Sequence, residues 1–269
     1  MTARVAIVTG ASRGIGEATA LELAARGYDL TITARDRAAL DRVRDSIEKS
    51  GRRARVVAGD LADLDFARQI VEQSIAEFGR IDVLVNNAAW RELISMRHIT
   101  LESWERTLRI CLTTPAFLAR WAAASMEQRR SGVIINVSSM MSRQVAGISP
   151  AYIAAKGALE SLTYELAALY GPRGIRVLTV SPGAIDTEMS NDYPEGEGED
   201  ASRLTRQYSE DMIMLGRWGT AVEIARLIAF AASEDASYLT ATTLTADGGW
   251  QRQHMPKSLC AKQLPGDFP

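Results

Sequence analysis

Three side chains in the middle of the chain have the types and the spacing for acid–base chemistry on an oxygen atom. Tyr152 and Lys156 are four residues apart, and in a helix this spacing places both on one face, about one turn from each other. A fixed ammonium beside a phenol favours the phenolate, which makes the phenol a usable proton donor and acceptor. The hydroxyl of Ser139 could hold a substrate oxygen beside that phenol. The alternative is an amphipathic helix with one aromatic contact, since the spacing also arises by chance.

The apolar pattern around these residues predicts strands and helices that alternate along the chain. Short β-branched runs predict strands at residues 4–9, 29–34, 55–58, 83–86, 133–137, 177–180 and 241–246. Helical patterns lie between them at residues 14–26, 37–50, 63–78, 101–128, 150–170 and 221–232. This alternation is typical of a parallel sheet covered by helices on both faces. We therefore predict one α/β domain over residues 1–250, followed by a tail at 251–269 that is either loosely held or docked on a neighbour.

Composition and charge exclude several other classes of protein. The chain has 269 residues, of which 46% are hydrophobic, so it can bury a sizeable core. Its 31 basic and 33 acidic side chains give a net charge of −2, which does not suggest a nucleic-acid partner. No apolar run reaches the ~18 residues that a membrane helix needs.

Histidine and cysteine usage argues against a metal site and against disulfides. His98 and His254 have no paired ligand spacing, so we expect no metal. Cys111 and Cys260 are far apart, and no secretory signal opens the chain. A reducing, cytoplasmic location without disulfides is therefore expected.

A glycine-rich turn links the first predicted strand to the first predicted helix. Gly10, Gly14 and Gly16 follow the pattern Gly-x-x-x-Gly-x-Gly rather than the commoner Gly-x-Gly-x-x-Gly. Glycines let the backbone turn tightly and approach a pyrophosphate, and the helix N-terminus supplies amide donors. The turn therefore predicts a dinucleotide site, against the alternative of a strand–helix turn that only needs glycines.

The end of the second predicted strand bears on which dinucleotide binds. An acid at its tip would accept from a ribose 2′-hydroxyl, whereas an arginine would bind a 2′-phosphate. Ala34 occupies the tip and Arg35 follows, with Arg13 in the glycine turn within reach of the same region. Two guanidiniums suit a phosphate, which favours NADP(H). Asp36 keeps NAD(H) as the alternative, because a shift of one residue would aim its carboxylate inward.

These features and further motifs, taken in order, resemble the short-chain dehydrogenase/reductase family over residues 1–250. The further motifs are Asp60-Leu61, Asn86-Asn87-Ala88, Pro182 to Thr187, and Ala246-Asp247-Gly248-Gly249. The resemblance implies a Rossmann-like, doubly wound, seven-stranded parallel sheet with helices on both faces. It also implies interconversion of a secondary alcohol and a ketone with NADP(H), and a homo-oligomer, either a dimer or a tetramer.

The resemblance also assigns roles to single residues. Tyr152 would be the general acid in reduction and the base in oxidation, Lys156 would favour its phenolate, and Ser139 would orient the carbonyl. Asp60 and Leu61 would border the adenine, and Asn86 with Ala88 would lie at its ribose. The implied cofactor-binding residues are Gly10, Ser12, Arg13, Gly14, Ile15, Gly16, Arg35, Asp60, Leu61, Asn87, Ala88, Tyr152, Lys156, Pro182, Gly183, Ile185 and Thr187.

Two positions depart from the family's pattern. Ala89 stands where glycine is usual, which is tolerable if its φ is negative. Cys111, the fourth candidate catalytic residue, stands where the family has an asparagine that helps to hold a water chain running from the lysine to solvent. A thiol is a weak donor and acceptor, so the relay is either impaired or carried by the helix backbone, which we favour. We do not expect a reactive Cys111, because a cysteine in this helix is buried.

The substrate is expected at the carboxyl ends of the strands, where open α/β sheets bind ligands. Candidate lining residues, each of which could instead be core, are Trp90, Met140, Met141, Gln144, Ile148 and Met189. This set favours a hydrophobic ketone or alcohol over a sugar. Residues 188–217, which include an acidic run at 195–200, are interpreted as a mobile lid or as a solvated insertion.

Two other functions stay open on the sequence. One is a dinucleotide-binding scaffold or sensor with little turnover, which the replacement of the family's asparagine by Cys111 suggests. The other is an isomerase or dehydratase built on the same fold. Both would use the same cofactor turn, so only turnover and product analysis separate them from the oxidoreductase.

Overall fold

One parallel sheet of seven strands runs through the part of the chain that the computed structural model describes, residues 3–191 and 201–268. The strands in chain order are β1 (Arg4–Thr9), β2 (Tyr28–Ala34), β3 (Ala54–Ala58), β4 (Val83–Asn86), β5 (Gly132–Val137), β6 (Ile175–Pro182), β7 (Ile185–Asp186), β8 (Gly219–Thr220) and β9 (Thr243–Ala246). The sheet has the order β3-β2-β1-β4-β5-β6-β9, whereas β7 and β8 form a separate parallel pair. The predicted seven-stranded parallel sheet is confirmed.

Helices cover both faces of this sheet. They are α1 (Gly14–Ala25), α2 (Arg37–Lys49), α3 (Leu64–Phe78), α4 (Leu101–Leu108), α5 (Thr114–Glu127), α6 (Pro150–Tyr170), α7 (Glu188–Asn191), α8 (Ala201–Met212), α9 (Ala221–Ala232) and α10 (Lys257–Gln263). Successive strand side chains point to opposite faces. Val8 therefore packs in a core with α1, α2 and α9, and its neighbour Ile7 packs in a second core with α3, α5 and α6. The sheet is doubly wound, as predicted.

The strand order reverses direction beside β1, which lies between β2 and β4. The chain runs outward from β1 to β3 and then crosses back to β4 on the other side. The loops after β1 and β4 therefore leave in opposite directions and open a crevice between them. The carboxyl ends of all the sheet's strands lie along this edge because every pairing is parallel.

The predicted helix at 101–128 is interrupted. The π-helical turn Arg109–Thr113 separates α4 from α5. Pro115 explains the break, because proline has no N–H to donate to the carbonyl of Cys111 four residues earlier and its ring clashes with that carbonyl. A π-turn widens the helix locally, and this one contains Cys111, from which a relay to the lysine was expected.

The predicted tail is docked rather than loose over its described residues. The α10 helix packs on α8, where the main-chain N–H and the hydroxyl of Ser258 donate to the carboxylate of Asp211 over 2.8 and 2.6 Å. Residues 192–200, which include the predicted acidic run and the middle of the predicted lid, lie outside the described residues. Within the described ranges, no helix is long and apolar enough to cross a membrane.

Candidate functional site

A cavity of about 1100 Å³ lies at the carboxyl edge of the sheet. Its wall takes residues from the ends of all six strands between β1 and β6, including Gly10, Arg35, Asp60, Ala88 and Ser139. All the predicted cofactor residues line it except Gly16, and Tyr152 and Lys156 lie in the same wall. Cys111 does not line it. The topology thus brings separate motifs to one site.

The glycine turn is held closed by contacts that leave no room for side chains. Gly10 has φ of +65°, and a Cβ there would lie 2.9 Å from the Cα of Ala88. A Cβ on Gly16 would lie 2.1 Å from the carbonyl oxygen of Gly10, which is why this residue shapes the turn without lining the cavity. The turn leads directly into the N-terminus of α1. It therefore fits a pyrophosphate, which would be held by backbone amides and the helix dipole.

Two asparagines after β4 have different roles. Asn87 donates from its side chain to the carbonyls of Thr9 and Gly10, over 2.9 and 3.2 Å, and so ties the two loops of the crevice together. Asn86 is buried, donates to Asn136 and the carbonyl of Pro115, and does not line the cavity. The expected role of Asn86 at the ribose is therefore wrong. Its side chain points into the protein because neighbouring strand residues alternate in direction.

Two arginine side chains lie in the cavity wall near the end of β2. The strand ends at Ala34 as predicted, and Arg35 follows it in the cavity wall. The carboxylate of Asp36 accepts from the amide of Ala39 over 3.0 Å and caps α2. Arg42, which the sequence reasoning missed, lines the cavity from α2. The sequence feature that could have revealed Arg42 is its place on α2, the helix that starts at the end of β2, about two helical turns after Arg35.

The other predicted phosphate ligand, Arg13, also lies in the cavity wall, but its guanidinium pairs with the carboxylate of Glu188. Both side chains are more than half exposed, so this pair is weak and can be exchanged for another anion. Arg13 therefore stays available to a phosphate at the cost of an exposed ion pair.

Two arginines contact the ring of Trp90 at the end of the cavity that Arg35 lines. The Arg35 guanidinium lies 5.2 Å from the centroid of the Trp90 ring, and the Arg106 guanidinium lies 4.9 Å from it. Arg106 also pairs with Asp60 over 2.7 Å. Burial raises the pKa of Asp60, but the amide of Ala62 and the Arg106 guanidinium outweigh it and leave that pKa below its usual value. The indole thus lies closer to the cofactor end than we expected of a substrate contact.

The candidate acid–base pair, Tyr152 and Lys156, lies on α6, whose first turn contains Pro150. Tyr152 and Lys156 are both buried, at 8% and 1% exposure. The Lys156 ammonium donates to the carbonyl of Val137 over 2.6 Å and lies 5.5 Å from the centroid of the Tyr152 ring. The Ser139 hydroxyl oxygen accepts from the amide of Met141 over 3.2 Å, so its hydrogen can be donated to a ligand. These groups can bind and protonate one oxygen atom.

Cys111 is buried behind this pair and contacts the loop after β4. Its sulfur accepts from the amide of Trp90 over 3.3 Å and lies 3.5 Å from the carbonyl oxygen of the same residue. Burial raises the pKa of the thiol despite the nearby charge of Lys156. The thiol is thus a structural contact of low reactivity, as expected.

At Ala89, the other departure from the family's pattern, the condition for tolerating a side chain is met. The non-glycine residues of positive φ in the described ranges are Arg130 and Ala241, so Ala89 avoids the conformation that would require glycine.

The substrate end of the cavity combines predicted and missed residues. Met140, Met141, Gln144, Ile148 and Met189 line it as predicted. The residues that the sequence reasoning missed here are Val145, Thr205, Tyr208, Trp218 and Trp250. Val145 lies in the loop between Ser139 and Tyr152, whereas the others come from α8 and from segments later in the chain. No motif marks any of them, so only the folded arrangement brings them to the site.

Comparisons with known proteins agree with this geometry. A family model described as enoyl-(acyl carrier protein) reductase matches residues 10–251. The short-chain dehydrogenase/reductase FrzI of Cladobotryum sp is 35% identical over 250 residues, which cover 91% of this chain and 95% of that protein. Cis-4-hydroxycyclohexanecarboxylate dehydrogenase of Sinomonas cyclohexanicum is 37% identical over 248 residues, covering 92% and 96%.

A solved structure extends the similarity to three dimensions. The crystal structure of a blue fluorescent protein from a metagenomic library, in complex with NADPH, superimposes with a TM-score of 0.82 at 37% identity. The match covers 92% of this chain and 97% of that one. With the motif order and the strand order, these matches mean that the chain belongs to the short-chain dehydrogenase/reductase family, a family of oxidoreductases.

Proposed function

We propose that this protein is an NADP(H)-dependent oxidoreductase that interconverts a secondary alcohol and a ketone, with Tyr152 as the acid and base. The observation that carries the proposal is the common cavity wall of Ser139, Tyr152 and Lys156, with a buried ammonium 5.5 Å from the phenol ring. In a buried site such a charge acts more strongly on its neighbours than it would in water.

The proposed mechanism divides the work between these three side chains. Ser139 donates its hydroxyl hydrogen to the substrate oxygen and stabilises the negative charge that builds there during reduction. Tyr152 gives its proton to that oxygen in reduction and takes it back in oxidation. Lys156 stabilises the phenolate that remains. The nicotinamide cofactor, when bound between the glycine turn and this wall, supplies or accepts the hydride.

The preference for NADP(H) rests on the charges at the end of β2. Arg35 and Arg42 both line this end of the cavity, and Arg13 lies across it in the glycine turn. Asp36 is the acid that would favour NAD(H), and its carboxylate is already used as the cap of α2. The NADPH complex of the related blue fluorescent protein supports the same preference.

For the substrate, we propose an apolar ketone or alcohol, because apolar side chains, Met140, Met141 and Met189 among them, form much of the wall beyond Ser139. The related dehydrogenase of Sinomonas cyclohexanicum is named for a hydroxylated cyclohexane acid, which makes cyclic ketones a natural first choice. Sugars are poorer candidates, because their hydroxyl groups would find few partners along the methionines of this wall.

A screen for turnover tests this function directly. NADPH oxidation would be followed with linear, cyclic and aromatic ketones, NADH would be compared, and products would be identified by mass spectrometry. We expect NADPH oxidation with apolar ketones and a product two hydrogens heavier than the substrate. Tight NADPH binding without turnover would favour a scaffold, and a product of unchanged mass would favour an isomerase.

A further inference from the structure

We propose that Glu160 is a positioning residue that holds the Ser139 hydroxyl in place against the substrate oxygen. The inference rests on the proposed function and deepens it. Glu160 is 6% exposed, which makes it a buried carboxylate to which the proposed mechanism gives no role. A buried carboxylate is costly unless hydrogen bonds and a countercharge compensate it. The groups that compensate Glu160 all come from the segment that carries Ser139.

The contacts of Glu160 enclose Ser139 on both sides. One carboxylate oxygen accepts from the hydroxyls of Ser138, over 3.0 Å, and Ser142, over 2.7 Å. The other oxygen accepts from Arg143, over 2.9 Å to its Nη2 atom. One carboxylate thus holds the residue before Ser139 and the end of the turn after it. That turn, Met140–Ser142, also carries methionines of the substrate wall.

Glu160 lies on the same face of α6 as Tyr152, the proposed acid. Tyr152, Lys156 and Glu160 are spaced by four residues within α6, so they lie on one face one turn apart. The Ser138 hydroxyl also lies 3.2 Å from the main-chain oxygen of Lys156. A single rigid helix therefore carries both the phenol and the point that fixes the serine segment, and Glu160 sets the position of Ser139 relative to Tyr152.

The expected loss of rate follows from how little displacement of a catalytic group an active site tolerates. A misplacement of about 1 Å can cost about 10²-fold in rate, and loss of one donor to a developing oxyanion costs about 10²–10³-fold. A purely structural ion pair between Glu160 and Arg143 would instead change the stability of the protein and leave the chemical step unaltered. The two roles are separated by measuring how a substitution of Glu160 changes kcat in proteins with and without the Ser139 hydroxyl.

The test compares Glu160→Ala with Glu160→Gln and Ser139→Ala in the full-length protein, with Glu165→Ala as the matched control on an exposed position of the same helix. We expect Glu160→Ala to lower kcat about 10-fold or more, with NADPH affinity unchanged. Glu160→Gln should retain most activity, because its amide oxygen can still accept from both serines. In the Ser139→Ala background, Glu160→Ala should reduce kcat less than about 2-fold further, because both changes act through one hydroxyl.

When the wild type reduces a ketone, additive losses of kcat in the double variant of Glu160→Ala and Ser139→Ala would overturn this inference alone. An unchanged kcat in Glu160→Ala would do the same. A wild type without turnover on any ketone would overturn the proposed function and this inference with it. If Glu160→Ala does not fold, Ser138→Ala breaks the same link from the other side, and we expect the same lack of additivity with Ser139→Ala. Additivity in that pair would equally contradict the proposal.

Discussion

Arg35 and Asp36 are adjacent in the chain and both line the cavity at the end of β2, yet their side chains make different contacts. Asp36 is held by the amide of Ala39 and starts a helix. Arg35 is held over the Trp90 ring, in the cavity wall. One oxygen of the Asp36 carboxylate is engaged as the cap of α2, whereas Arg35 and Arg42 present two guanidiniums at this end of the cavity. At the scale of single residues, the proposed preference for NADP(H) rests on this difference in contacts.

Reversing the charge at Arg35 should shift the proposed cofactor preference from NADPH toward NADH. We expect Arg35→Asp to lower kcat/KM for NADPH about 10²-fold, since a charge-assisted contact to phosphate is replaced by repulsion. The value for NADH should stay constant or rise. Steady-state kinetics with both cofactors measures the ratio, and Arg37→Asp, on an exposed position two residues later, is the control. An unchanged NADPH preference in Arg35→Asp would count against this phosphate site.

Cys111 offers a second prediction at this scale. Its thiol bridges the amide and the carbonyl of Trp90, and Pro115 cannot donate to its carbonyl. A relay carried by the helix backbone does not need the thiol, so Cys111→Asn should keep or raise kcat. Turnover and its solvent isotope effect, compared with those of Cys260→Asn at a half-buried position of α10, measure this. A large loss of rate in Cys111→Asn alone would give the cysteine a role of its own.

Helices set the geometry of the site through their ends and their breaks. The α6 helix carries Tyr152 and Lys156, α1 presents its N-terminus to the cavity through the glycine turn, and the π-turn between α4 and α5 contains Cys111. The α9 helix is fixed at its start by a capping box in which Thr220 and Glu223 bond each other's backbone amides. Caps of this kind typically contribute about 1 kcal/mol.

The capping box predicts a pH-dependent contribution to stability. Hydrogen bonds from Arg217 and from the amide of Thr220 lower the pKa of Glu223 from 4.5 to about 2. Because the folded state has the lower pKa, this stabilisation is present above the unfolded pKa and is lost as pH falls toward 2. The side chain is 43% exposed, so we expect Glu223→Gln to lose only about 1 kcal/mol at neutral pH.

Urea unfolding at several pH values measures this effect. The difference in unfolding free energy between wild type and Glu223→Gln should shrink steadily below about pH 4.5. Glu165→Gln, at an exposed position of α6, should show no such difference. A gap that stays constant as the pH falls would refute the assignment of the ionised carboxylate to the cap.

Much of the fold was predictable at the element scale, and the exceptions have physical causes. Strands such as β1 and β4 are short apolar runs between turns, so the pattern alone sets their bounds. The π-turn at Arg109–Thr113 was not predicted, because the apolar pattern continues through it and only Pro115 marks the break. Glu160 and Arg42 were missed because a single charged residue in a helix has no motif, and its partners are known only from the tertiary structure.

The sheet order is the feature of the whole molecule on which the site depends. Parallel pairing from β3 to β9 places every strand's carboxyl end on one edge. Motifs more than a hundred residues apart, at Gly10 and Lys156, thereby share one cavity. Most of the predicted site residues line the cavity for this reason, and α8 and Trp250 add further residues to its wall.

The docking of the tail gives a prediction at this scale. Hydrogen bonds from Ser258 keep the pKa of Asp211 low, so its carboxylate holds the start of α10 at neutral pH. We expect Asp211→Asn to increase amide hydrogen exchange in Lys257–Gln263 about 10-fold, since a charge-assisted bond is lost. Ser258→Ala, which keeps the amide contact, should have a smaller effect. Unchanged exchange in Asp211→Asn would mean that other contacts hold the tail.

The central claim is that the phenol of Tyr152 transfers the proton, and one substitution tests it most directly. Tyr152→Phe keeps the ring and removes only the hydroxyl, and Tyr164→Phe, on an exposed part of the same helix, is the matched control. With a ketone that the wild type reduces, we predict that Tyr152→Phe lowers kcat at least about 10²-fold, the scale of a general acid's contribution. NADPH affinity should stay close to that of the wild type, and Tyr164→Phe should retain full activity. Equal rates of NADPH oxidation in the wild type and Tyr152→Phe would contradict the account.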